Sequence, residues 1–354
     1  MSFRLAAAFQ KNQQFLLVVL DDAEQAAYYL NDFEQLLSSN EVLYFPASYR
    51  QPYALETTDN ANILLRAEVL KKLSTSKKPR VVVSYPQAVF EKLISHRTLK
   101  RIGLNIKKDS IIPLSQLNER LFNMGFERVD FVTEPGEFAV RGGIIDVFSF
   151  AYQHPYRIEF FDDMIERLSS FHVEDQRSVA AYESIEILPD TSNLETTDHR
   201  KTILEFFPSN SSFLLGNLDI ITRQLKLFFD KATKAYATEG VESQYPPETL
   251  FVHPEEWIAD CKEKSILLLE RTDQLEISTQ ISIKQSPQPA FNKKFDLLIE
   301  YLNKNNEKGY KNTLFCSHGQ QAKRFHDIFQ EQKNTVHYTT HVHPLYQGFE
   351  DIEA

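Results

Sequence analysis

The chain has 354 residues, 42% of them apolar and 25% charged, with a formal net charge of −10. That length exceeds what one hydrophobic core usually serves, so two or three soluble globular domains are expected. The acidic balance argues against the basic footprint of an autonomous nucleic-acid binder and directs attention to protein partners. Cys261 and Cys316 are the only cysteines, which excludes a disulfide framework and fits a reducing cytoplasm.

Phe15–Leu20 is a continuous apolar run and reads as a buried parallel strand. It is too short to span a bilayer. Arg4 and the brief Leu5–Phe9 stretch do not make a signal peptide, so Met1 is expected to run almost straight into this strand. Asp22 is placed to cap a helix over Ala23–Leu37. Glu41–Phe45 reads as a strand, Leu64–Leu73 as a helix, Arg80–Ser84 as a strand and Val89–Ile94 as the start of a helix. Such β-α alternation predicts a parallel sheet with helices on its faces.

After about residue 108 the texture changes. Ser115 is the expected N-cap of a short helix carrying Leu117, Leu121 and Met124, with Gly125 at its left-handed end. Strands then follow closely: Phe138–Arg141, a Gly142-Gly143 bend, Ile144–Phe150, a hairpin of Tyr156–Phe161 and Met164–Phe171, and Val179–Leu188. Residues 109–191 therefore read as a small α+β insert between two halves, 1–108 and 192–284, of one α/β domain. In the second half Leu218–Lys234 reads as a helix, and Ile266–Leu269 and Ile277–Ile283 as strands. Gln285–Pro289 looks like a linker. Residues 285–354 form a further small α/β domain: helix Phe295–Leu302, strand Thr313–Cys316, helix Gln320–Phe329 and strand Thr335–Tyr338. Both ends look like cuts in a longer protein.

Catalytic motifs are missing from the sequence. None of the 10 glycines precedes a lysine, so there is no phosphate-cradling P-loop, and no Asp-Glu dipeptide exists for a magnesium-water box. No G-x-S-x-G elbow is present. Cys316-Ser317-His318 lies at a strand end, where neighbours rarely converge as nucleophile and base, and is read as a buried cysteine. His337, His341 and His343 have metal-like spacing only on a helix, and this segment reads as strand or tail.

The positive signal is in the insert. Residues 109–200 hold seven arginines and no lysine, where a proportional share of the chain's 23 lysines would be about 6. Arginine is the cation that interfaces favour, because its planar fork pairs with carboxylates and is weakly hydrated. Period-two alternation puts Tyr156, Ile158 and Phe160 on the core face of their strand and Arg157, Glu159 and Phe161 on the other. An exposed Phe161 beside Arg157 has the composition of a binding hot spot, whose truncation costs roughly 2 kcal/mol or more. Arg141 alternates with Val140 and also faces outward.

These residues sit within longer familiar runs. Tyr44-Phe45-Pro46, then Pro52-Tyr53, resembles the FFP…LPY signature of the transcription-repair coupling factor (Mfd) family, and Arg66 with Leu70 matches its R-x3-L. Gly136–Phe148 resembles GEYATRGALLDLF, Tyr156–Asp163 resembles PYRLDFFDDE, and Glu174–Ser178 resembles DSQRT; these three runs are shared with UvrB. Residues 48–51 depart from the usual acidic-aromatic segment. Without a P-loop the chain looks like the family's N-terminal UvrB-like module.

The resemblance implies a helicase-like α/β domain lacking a P-loop, split by an α+β insert that recruits UvrA through Arg141, Arg157 and Phe161, with Glu159 beside them. It implies no catalysis and no cofactor in this segment. ATP, Mg2+, DNA and RNA polymerase then belong to regions outside this sequence, and the C-terminal domain of the full protein masks the UvrA face. No membrane partner is expected. The rival reading is a UvrB-like helicase fragment with residual nucleotide or DNA binding.

Overall fold

The structure, a computed structural model, describes residues 1–48, 60–94, 98, 101–150, 152, 154–188, 200–238, 245–331 and 336–352. Pro52-Tyr53, residues 49–51 and Thr335 lie outside them. The chain is mixed α/β and clusters into two compact units, one of residues 12–26 and 43–275 and one of residues 1–11, 27–42 and 276–354.

Five strands form a sheet: β1 (Leu16–Val19), β2 (Val42–Tyr44), β3 (Val81–Ser84), β12 (Ser212–Leu215) and β13 (Ile266–Leu268), in the order β13-β12-β1-β3-β2. β1 pairs in parallel with both β3 and β12, and β12 in parallel with β13. Leu17, Val18, Val19, Val82, Val83, Leu214 and Leu215 are buried, as continuous apolar runs require when both faces of a sheet are covered. Asp22 caps the helix Ala23–Leu36 by accepting the Gln25 N–H at 2.8 Å. Helix Leu218–Thr238 follows β12, and Asn217 caps it through the Ile220 N–H at 3.0 Å.

Between β3 and β12 lie the strands of the insert. β4 (Leu104–Lys107) pairs antiparallel with β11 (Ser184–Ile187), Leu104 opposite Ile187. Inside this clasp, β5 (Glu127–Arg128), β6 (Glu137–Arg141), β7 (Ile144–Val147), β8 (Tyr156–Phe161), β9 (Met164–Phe171) and β10 (Ser178–Ala181) form a six-stranded sheet in the order β10-β9-β8-β7-β6-β5. It is antiparallel except for the β5–β6 pair, which is parallel. Helix Leu114–Asn123 lays Leu117 and Leu121 on a core with Phe138, Ile145, Ile158 and Leu168. Pro113, not Ser115, is its N-cap position; no side chain caps it, and the fixed ring conformation of proline suits a helix start.

In the other unit, helix Phe295–Glu307 and helix Gly319–Glu331 enclose Ile299, Leu302 and Phe329. β15 (Thr313–Phe315) pairs in parallel with β16 (Thr339–His341), and β14 (Gln285–Pro287) antiparallel with β17 (Phe349–Asp351). Arg4 holds Asp351 through two hydrogen bonds, at 2.7 and 3.0 Å. Asp32 accepts from the Ser2 hydroxyl at 2.6 Å and the Tyr346 N–H at 3.2 Å, while Tyr346 stacks on Tyr28.

Five sequence expectations fail here. Residues Ser2–Asn12 are a helix burying Leu5, Ala6 and Phe9, not a lead-in to β1. Residues 90–94 are not helical: the short helix Pro86–Val89 ends there, and Glu91 and Leu93 form isolated bridges with Phe251 and Lys201. The alternating Ile277–Ile283 segment is not a strand, whereas the expected linker at Gln285 supplies β14, because Phe349–Asp351 offers it a partner. The strand expected at Thr335–Tyr338 is displaced to Thr339–His341.

Candidate docking site

Cross-strand register decides which side chains of the insert meet. β6 and β7 are joined by Gly142-Gly143, with Arg141 opposite Ile144 and Ala139 opposite Asp146. Gly142 has φ +58°, the left-handed conformation that a two-residue hairpin requires, and a Cβ on Gly143 would sit 3.2 Å from the Phe160 carbonyl oxygen. β7 and β8 then place Asp146 opposite Arg157 and Ile144 opposite Glu159. β8 and β9 place Glu159 opposite Arg167 and Phe161 opposite Met164.

One sheet face carries Phe138, Ile145, Val147, Tyr156 and Ile158 into the helix-covered core, with Phe160 packed against it. The opposite face carries Arg141, Asp146, Arg157, Glu159 and Phe161, as alternation predicts. Phe161 is 64% exposed at the end of the β8–β9 hairpin, so it does not fold back into the core.

The two arginines are not free prongs. Asp146, only 1% exposed, accepts hydrogen bonds from Arg157 Nε at 2.7 Å and Arg157 Nη2 at 2.9 Å, and from Arg141 Nη2. Arg157 Nη2 also donates to Gln176 Oε1 at 2.9 Å. Its guanidinium lies 4.3 Å from the centroid of the buried Phe171 ring. Arg141 lies 4.9 Å from the centroid of the exposed Phe131 ring. Hydrogen bonding to Asp146 is the main reason that Arg157 is held above its ordinary basicity. Glu159 makes a longer ion pair, 3.7 Å, with Arg167.

Alternation turns both arginines outward; in the folded chain Asp146 already engages both. Asp146, Gln176, Phe131 and Phe171 are not singled out by alternation. The signal for Asp146 was present: an acidic residue between Ile145 and Val147, five residues after Arg141 across a two-glycine turn, becomes a diagonal cross-strand neighbour of that arginine.

The other candidates do not assemble. Cys316 is buried, and its N–H donates to the His341 carbonyl at 2.8 Å. His318 Nδ1 accepts the Gln321 N–H at 3.2 Å, at the start of helix Gly319–Glu331. Among the described residues, no group of three or more His, Cys, Asp or Glu could hold a metal ion. Where a phosphate loop would follow β1, the chain places Asp21, whose Oδ1 accepts the Asn217 N–H at 2.7 Å. No helix among the described residues is long and apolar enough to cross a membrane.

This hairpin-built sheet coincides with a known class of module: residues 104–192 match the family model of the UvrB interaction domain. Part of the chain is similar to transcription-repair-coupling factors. It is 31% identical to that of Bacillus subtilis over 223 residues, which is 61% of this chain and 18% of the relative. It is 28% identical to that of Haemophilus influenzae over 237 residues, 67% of this chain and 20% of the relative. It is 32% identical to that of Escherichia coli over 138 residues, 39% of this chain and 12% of the relative. The matched stretch spans a fifth or less of these curated relatives, and it supports an N-terminal, UvrB-like portion of such a factor. The chain is thus similar to a protein-interaction portion of DNA repair factors.

Proposed function

We propose that this chain is a non-catalytic docking module of a transcription-coupled repair factor and that its partner is UvrA. The observation that carries the proposal is the outer face of the insert, which presents an exposed Phe161 together with two arginines fixed by one carboxylate. Aromatic and arginine anchors dominate protein interfaces. The match of residues 104–192 to the UvrB interaction domain supports a UvrA-type partner.

The proposal includes the domain plan. Residues 1–108 and 192–284 are two halves of a helicase-like domain, with the insert between them and residues 285–354 beyond. The sharing of one sheet by β1, β3, β12 and β13 supports this plan. ATP, Mg2+, DNA and RNA polymerase are assigned to parts of the longer protein outside this chain. A C-terminal domain of that protein is the proposed mask of the docking face.

Titrating the chain with UvrA, as wild type, Arg157→Ala and Phe161→Ala, tests the proposal. Binding weakened at least tenfold without loss of fold is expected. Undiminished affinity in folded Arg157→Ala and Phe161→Ala chains alike sinks it.

A further inference from the structure

The docking face is built around a buried carboxylate that the sequence motifs do not single out. We propose that Asp146 is the positioning residue of this face, holding Arg141 and Arg157 as one preformed, net-positive fork that an acidic partner surface meets without reordering it. The inference rests on the docking reading given above.

Three observations converge on it. First, Asp146 sits in the middle of β7, between Ile145 and Val147, at 1% exposure. A carboxylate so placed needs a cation, but one well-aligned guanidinium would satisfy it. The fold brings two, from β6 on one side and β8 on the other, which leaves one positive charge in excess at the surface. Packing alone would be served as well by apolar residues of similar volume.

Second, the bonding of Arg157 fixes its orientation. Nε and Nη2 face Asp146, and Nη2 also meets Gln176, while the Phe171 ring closes one face. A guanidinium has five N–H donors in a rigid fork. Among the described residues these contacts leave the two donors on Nη1 for an incoming carboxylate.

Third, Gln176 is itself held. It has φ +60°, its Nε2 donates to the Val173 carbonyl at 3.0 Å, and its N–H donates to the His172 carbonyl at 2.9 Å. The β9–β10 loop therefore acts as a second stop on the Arg157 side chain. An arginine ordered before the partner arrives loses less rotamer freedom on binding. Without Asp146, the two like charges on β6 and β8, either side of β7, would repel and swing apart.

The test is a double-mutant cycle on UvrA binding, with melting temperatures measured alongside. Asp146→Asn is expected to weaken binding about tenfold, and Gln176→Ala about threefold, the lesser effect of a single support at the rim. If both act through Arg157, each loss combined with Arg157→Ala falls well short of the product of the single losses. Wild-type affinity in Asp146→Asn, or losses that simply multiply, overturns the inference. Should Asp146→Asn fail to fold, the Gln176→Ala cycle decides by the same criterion. The docking reading fails separately: wild-type binding by both Arg157→Ala and Phe161→Ala removes it, whereas their weak binding beside normal Asp146→Asn and Gln176→Ala removes only the positioning role.

Discussion

Replacing Phe161 with alanine separates binding from stability. The side chain is 64% exposed, and with a fully buried phenylalanine covering about 200 Å2, docking would remove about 130 Å2 from water. At roughly 25 cal/mol per Å2 this is about 3 kcal/mol, and alanine keeps the Cβ share, so the loss is about 2–3 kcal/mol. That corresponds to roughly a 30- to 150-fold weaker Kd. Folding should hardly notice, because a largely exposed side chain contributes less than about 0.5 kcal/mol. Calorimetric titration with UvrA at one fixed salt concentration, paired with thermal melts, reads both quantities. A variant that melts like wild type and binds within twofold of it would refute the assignment of Phe161 as an anchor.

Other outcomes follow from the same structure. Glu91 is buried, pairs with Arg66 at 2.9 Å and accepts from the Ser48 N–H and hydroxyl; Glu91→Ala strands the Arg66 charge and should cost about 3–5 kcal/mol in urea unfolding. Burial pushes the Cys261 thiol up to about 12 and raises that of Cys316, so iodoacetamide at mildly alkaline pH should label neither cysteine until the chain is unfolded. An ATPase assay of the purified chain should show no turnover; activity abolished by a single substitution within this sequence would revive the helicase-fragment reading. A fragment of residues 101–188 should melt cooperatively and bind UvrA within a fewfold of the whole chain, because the β4–β11 ladder closes its two ends; a fragment without a transition would contradict this.

Local periodicity was legible wherever burial enforced it. Continuous runs gave β1 and β3, and alternation gave the full extent of β8 and the face on which Arg157, Glu159 and Phe161 stand. Register was less legible, since which strands pair depends on distant residues. Ile277–Ile283 alternates as well as many strands do and finds no ladder, while Gln285–Pro287, rich in breakers, is a strand because Phe349–Asp351 pairs with it. The first helix escaped notice because Leu5, Ala6 and Phe9 make only a short apolar stripe that packing completes. The site divided along the same line. Its outward residues follow from period two, whereas the Asp146 clasp requires knowing that β6, β7 and β8 are neighbours.

The β4–β11 clasp gives the insert the character of a cassette. The chain leaves along one strand and returns along its hydrogen-bonded neighbour, so about eighty residues hang from two adjacent points. Within such a loop, hairpins can lengthen, shorten or change their surface without shifting the register of the five-stranded sheet. Recognition can therefore drift in sequence while the scaffold that carries it stays the same, and the loop can open or re-form without tearing its host.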